Sequence, residues 1–223
     1  ERFLREARVT ASLQHPHIVP VHDFGHLPGA DGRYRLFLSM KRIRGMDLWK
    51  LLKSVERGEV EARKYTRARL LSLFQGVCLG IAYAHSRGVV HRDLKPANVM
   101  IGEFGESLIV DWGLAKIAGE AEPARPEGEG PMAGWASPRG EPGLTALTLA
   151  GDIIGTPSYM PPEQAEGRRE EIDARSDVYA LGGVLYTILT WKPPFHGGTV
   201  TDVLAQVKAG LLPAPSMVVS DAW

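Results

Sequence analysis

The run Val89 to Met100, VVHRDLKPANVM, constrains the chain more than any other stretch, because it sets a carboxylate, a cation and an amide on one short loop. Asp93, Lys95 and Asn98 stand close together there, and Asp111-Trp112-Gly113 follows downstream. Phosphoryl transfer requires side chains of these types. A hydroxyl nucleophile needs an acceptor for its proton, the moving phosphoryl group needs positive charge, and its magnesium needs oxygen ligands. Asp93, Lys95, Asn98 and Asp111 can supply them in that order. Turn and cap duty is the plainer reading of Asp and Asn in such a loop.

Bulk properties narrow the field. At 223 residues the chain holds one large domain or two small ones, with enough apolar content, 44%, for a sizeable core. Lys and Arg number 26 against 26 Asp and Glu, so net charge gives no argument for nucleic acid or an anionic membrane. Cys78 is the only cysteine, which rules out an intrachain disulfide framework and a multi-cysteine zinc site and suits a reducing compartment. No apolar run approaches the ~20 residues that cross a bilayer, and the charged start is no signal peptide. An anchor elsewhere in a longer parent stays open.

Periodicity and punctuation predict the elements. Glu1 to Gln14 reads as an amphipathic helix with Phe3, Leu4, Ala7, Ala11 and Leu13 on one side, ended by His15-Pro16. Ile18 to Phe24 and Tyr34 to Met40 read as a hairpin around a turn at Gly25 to Gly32. Met46-Asp47-Leu48 opens a short helix to about Lys53, and the charged segment Glu56 to Lys64 is a solvated connection. Leu70, Leu71, Phe74, Val77, Cys78, Ile81 and Ala82 predict a buried helix over Arg67 to Ser86, stopped by Gly88. Ser107 to Val110 reads as a strand. Leu114 to Ala150 is too long and too rich in Gly, Pro, Ala and Glu for a packed element and reads as a mobile loop. Ser176-Asp177 is expected to cap an apolar helix to about Leu189, and Thr199 to Ala209 predicts another.

HRDLKPAN followed by DWG, with GTPSYMPPEQ at Gly155 to Gln164, resembles the catalytic loop, metal-binding motif and activation-segment end of Hanks-type, bacterial-like serine/threonine protein kinases. The resemblance implies an α+β bilobal fold. Residues 1–43 would be a partial small lobe of one helix and short antiparallel strands, and 44–223 a mostly helical large lobe. The catalytic loop would then be 89–100 and the activation segment 111–163, with an insertion from about Ala118 to Gly143.

Residue by residue, the resemblance makes Asp93 the base and Lys95 the steadier of the transferred phosphate and a mark of Ser/Thr specificity, which Thr156 supports. Asn98 and Asp111 become magnesium ligands, since magnesium keeps most of its shell in water and phosphate. Glu6 falls where the family has the Glu that pairs with a strand Lys; a solvated helix charge is the alternative. Met40 would back the adenine pocket, although alone it reads as core, and Lys41 to Ile43 would be the hinge bonding the base through its backbone. Lys41 stands where the family often has an acidic residue. Met100 would lie under the adenine ring, or simply in the core. His91 is expected to be a packed core imidazole. Arg92 would pair with a phosphate on the activation segment, with an ordinary salt bridge as the alternative. Thr148 and Thr145 are the expected phosphoacceptors, Thr148 the better placed. Trp112 replaces the family's usual Phe, and its N–H needs a partner if buried; altered packing is expected, not lost metal binding. Glu163 is expected to meet an Arg nearer the C-terminus, in closing helices that would follow Trp223, and Asp177 either anchors the catalytic loop or is an N-cap.

The glycine-rich phosphate loop and strand Lys would precede Glu6 and the closing helices would follow Trp223, so the chain reads as a kinase truncated at both ends, poorly active as an isolated piece. The implied cofactors are ATP and Mg2+, and the implied partners are proteins bearing Ser or Thr. A dimer would serve autophosphorylation, and the catalytic domain would be cytoplasmic. A pseudokinase scaffold is the alternative, opposed by the intact Asp93, Lys95, Asn98 and Asp111. A small-molecule phosphotransferase is opposed by Lys95-Pro96 and GTPSYMPPEQ.

Overall fold

The computed structural model describes residues 2–29, 33–117 and 157–219, with side chains from Ala7 onward. Helix α1 (Arg2–Ser12) ends before the His15-Pro16 pair, where the Ser12 hydroxyl donates back to the Val9 carbonyl at 2.7 Å. It buries Ala7 and Val9, with Leu13 buried just beyond its end; the Phe3 and Leu4 side chains lie outside the described residues. Strands β1 (Val21–Pro28) and β2 (Tyr34–Met40) pair antiparallel, Phe24 opposite Leu38 and Leu27 opposite Arg35.

The first strand therefore runs later than the Ile18 to Phe24 expected, and Gly25 is no turn residue. It faces Phe37, and a Cβ at Gly25 would lie 3.2 Å from that ring, the close approach that explains a glycine inside a strand. Ile18 belongs elsewhere, in a parallel bridge to Ile109: the Ile109 N–H donates to His17 O at 2.8 Å and the Val19 N–H to Ile109 O at 3.0 Å.

Strand β3 (Gly45–Asp47) leads into α2 (Leu48–Glu56), whose N-cap Asp47 accepts from the Lys50 N–H at 2.9 Å. Helix α3 (Arg67–Ser86) has the predicted bounds, because Thr66 caps its start and Gly88, at φ 72°, turns the chain after its end. Its buried face is rotated from the expected one, since Leu71 and Ala82 are exposed while Leu73, Gly76, Gly80 and Ala84 are buried. Gly76 and Gly80 cause this. A Cβ at Gly76 would lie 2.4 Å from the His17 ring, and one at Gly80 would lie 2.7 Å from Ile109, so the helix docks on its glycines and apolar periodicity misses the face.

Strands β4 (Val89–Val90) and β7 (Lys116–Ile117) pair antiparallel around the segment that holds β5 (Val99–Gly102) and β6 (Ser107–Ile109). β3, β5 and β6 form an antiparallel sheet with β5 in the middle. Helices α4 (Pro162–Ala165), α5 (Ala174–Thr190), α6 (Val200–Ala209) and α7 (Pro215–Val218) follow. Asp173, not Ser176 or Asp177, is the N-cap of α5, accepting from the Arg175 N–H at 2.8 Å while its own N–H donates to Ser176 Oγ at 3.3 Å. The main core lies between α3 and α5, where Leu70, Val77, Ile81, Val184 and Ile188 are fully buried. Each such side chain contributes about 1.5–3 kcal/mol. Mixed helix and short antiparallel strands fit the expected α+β class.

Candidate active site

The loop between β4 and β5 carries Asp93, Lys95 and Asn98, and β6 runs beside β5 so that Asp111 emerges next to them. The Val110 N–H donates to Asn98 O at 3.0 Å, which brings the two halves of the site together across the hairpin. Lys95 Nζ lies 3.1 Å from Asp93 Oδ1 and 2.8 Å from Oδ2, and the pair is largely shielded. Asn98 Nδ2 donates to Asp93 O at 2.8 Å and to Asp93 Oδ2 at 3.0 Å. These bonds fix the amide orientation and leave Asn98 Oδ1 as the oxygen it can offer. Asp93 is thus held at both oxygens in one rotamer.

The turn behind Asp93 is strained. Arg92 has φ 69° and Asp111 φ 65°, both in the left-handed region that costs a non-glycine residue about 1–2 kcal/mol. Asp177, on the first turn of α5 and 1% exposed, compensates: its Oδ2 accepts from the His91 N–H and its Oδ1 from the Arg92 N–H, each at 2.8 Å. His85, in the last turn of α3, donates from Nε2 to Asp177 Oδ2 at 2.7 Å. His91 is fully buried, as expected. Its Nδ1 accepts the Asp93 N–H at 3.2 Å, so its proton sits on Nε2 and points at Val110 O, also at 3.2 Å. One imidazole therefore ties the catalytic-loop backbone to the strand leading into Asp111.

Trp112 packs against His91, ring centroids 4.6 Å apart, and is 1% exposed. Its Nε1–H has no acceptor among the described residues, so the partner that burial demands is missing. Trp112→Phe removes that donor at the cost of some packing volume. The two effects, about 1–3 kcal/mol for the unsatisfied donor and a comparable cavity cost, offset each other. The variant is expected to unfold within about 1 kcal/mol of the parent by denaturant titration. A loss of several kcal/mol would show that the indole finds a partner in solution.

Downstream, the Ser176 hydroxyl donates to Glu163 Oε1 at 2.5 Å. Gln164 Nε2 donates to Arg92 O at 3.1 Å and ties α4 to the catalytic loop. Tyr159 is buried with its hydroxyl 3.0 Å from Thr187 Oγ1, and burial pushes its phenol far above the usual range. Sequence reasoning missed His85 and Ser176 as partners; a His eight residues before Asp93 and a Ser beside Asp177 were the only signals.

Of the other expected site residues, Met40 is 42% exposed, which excludes the core reading; Lys41 is exposed, and Ile43 and Met100 are half-buried. Met100 sits on β5 between Asp47 and Leu108. Arg92 adopts the geometry above through its backbone. The Glu6 side chain, residues 118–156 and with them Thr145, Thr148 and Thr156 lie outside the described residues. Among the described residues no three His, Cys, Asp or Glu side chains gather to cage a metal, and no helix is long and apolar enough to cross a membrane.

Residues 1–217 match the protein kinase domain family. The chain is 40% identical over 204 residues to the serine/threonine-protein kinase PknD of Chlamydia muridarum, covering 88% of the chain and 20% of that protein. It is 38% identical over 207 residues to the protein of the same name in Protochlamydia amoebophila, covering 91% and 20%. A probable serine/threonine-protein kinase of Streptomyces coelicolor is 37% identical over 205 residues, covering 92% and 26%. The chain spans about a fifth of the length of the first two curated relatives. With the family matched over nearly its whole length and the Asp93, Lys95, Asn98 and Asp111 arrangement in place, the chain belongs to the protein kinase domain family.

Proposed function

We propose that the protein transfers the γ-phosphate of ATP to Ser and Thr hydroxyls of protein substrates. One observation carries this: Asp93 is clamped by Lys95 and Asn98 beside Asp111, an arrangement that orients a carboxylate toward a hydroxyl proton. Asn98 Oδ1 and Asp111 fit magnesium, because two protein oxygens suffice for an ion that takes its remaining ligands from phosphate and water. The ion would supply charge neutralisation for the phosphates. Lys95 holds positive charge next to Asp93, where the transferred group arrives.

The adenine site would be formed by Met40, the Lys41 to Ile43 backbone and Met100, whose partial exposure leaves apolar surface for a base. Residues 1–43 and 44–223 would be the two lobes flanking that site, Glu6 would serve the phosphates, and Thr145, Thr148, Thr156 and Arg92 would belong to activation. Dimerisation for autophosphorylation and a cytoplasmic setting accompany this reading.

The test is transfer from γ-labelled ATP by the full-length protein, followed by phosphoamino-acid analysis. Label on phosphoserine or phosphothreonine that vanishes with a magnesium chelator is expected. Tight ATP binding with no transfer to any protein would favour a scaffold instead.

A further inference from the structure

The hinge expected at Lys41 to Ile43 is held at both ends. The Lys41 N–H donates to Pro20 O, just before β1, at 2.9 Å, and immediately past the hinge the Glu103 N–H of the β5–β6 turn donates to Arg44 O at 3.0 Å. Gly45 lies opposite Gly102 in the β3–β5 pair; its φ is 151°, and a Cβ there would meet Ile101 O at 2.0 Å, so only glycine lets the segment come so close.

The side chains complete the contact. Lys41 Nζ lies 3.6 Å from Glu106 Oε1, with 42% and 31% of the two side chains exposed. Glu106 reaches this position by lying over Gly102, where a Cβ would sit 2.2 Å from its carboxyl carbon. Its Oε2 is buried with no hydrogen-bond partner among the described residues. A carboxylate that gives up solvent at one oxygen and faces a single cation with the other is poorly served by any neutral or acidic residue at position 41.

We propose that Lys41 and Glu106 are a positioning pair that sets the hinge backbone for the adenine ring, with Glu106 drawing the Lys41 side chain away from the nucleotide. The proposal rests on the kinase reading and deepens it. The pair touches no reacting atom, so it governs nucleotide affinity and leaves the chemical step alone. A partly exposed ion pair changes an equilibrium by a few-fold, and placing like charges together reverses its sign.

The test measures KM and kcat for ATP, and direct ATP·Mg binding by calorimetry, in the full-length protein carrying Glu106→Gln, Lys41→Glu or the exchange Lys41→Glu with Glu106→Lys. Glu106→Gln is expected to raise KM about two- to five-fold and Lys41→Glu further, with kcat within about two-fold. The exchange is expected to return KM toward the parent. A merely structural role would lower kcat and thermal stability together, with no selective rise in KM. Unchanged affinity in both single variants, or no recovery in the exchange, overturns the pair while leaving the kinase reading intact. Absence of any nucleotide binding by the unaltered protein overturns both.

Discussion

Asp93→Asn is expected to lower kcat by about 10²–10⁴-fold while ATP affinity stays within a few-fold of the parent. The argument has two parts. Asparagine keeps the size of the side chain but cannot take a proton from the substrate hydroxyl, so general-base assistance is lost. It also presents an NH2 where the carboxylate accepts from Lys95 at both oxygens and from Asn98 at Oδ2, and one donor then faces another donor. One carbonyl oxygen remains to accept from Lys95 and Asn98, so the clamp weakens from two oxygens to one, and the expected base-binding residues Met40, Ile43 and Met100 lie elsewhere on the sheet and hinge. The effect therefore falls on kcat. Steady-state kinetics of the full-length protein checks the first half and calorimetric ATP binding the second. A variant that keeps a tenth or more of parental kcat would remove Asp93 from the chemistry.

Most of the chemistry at this site was legible because one loop contains it. The spacing of Asp93, Lys95 and Asn98 is local, and Thr66 and Thr199 announce α3 and α6 by capping them from one residue away. What the sequence hid is what distant segments do to one another. Ile18 reads as the start of a hairpin, yet it bridges Ile109. The face of α3 follows Gly76 and Gly80, which carry no hydrophobic signal but admit His17 and Ile109. Ser176 looks like the N-cap but is the inner member of a capping box whose N-cap is Asp173, and its hydroxyl also donates to Glu163. Asp177 was legible only as one of two readings, and burial decides between them: an N-cap faces water, whereas a 1% exposed carboxylate with three donors around it is an anchor.

That anchor supports the second large effect. Asp177→Ala is expected to destabilise the domain by about 3–5 kcal/mol, a large fraction of a typical domain's stability. The substitution leaves two backbone N–H groups, of buried His91 and half-buried Arg92, without their acceptor and strands the Nε2–H of His85. Arg92 would also have to hold its left-handed conformation without the bond that offsets its cost. Asp177→Asn should fall between parent and alanine variant, since its single carbonyl oxygen can serve the His91 and His85 donors at the Oδ2 position but leaves its NH2 facing the Arg92 N–H. Asp173→Ala is the internal comparison, because it removes a carboxylate from the same helix start that is about half exposed, where loss of a cap costs about 0.5–2 kcal/mol. Denaturant unfolding of the three variants, with amide exchange at His91 and Arg92, reads the difference directly. If Asp177→Ala costs no more than Asp173→Ala, the strained turn under Asp93 is held by something other than Asp177, and the rigidity of the base would need another source.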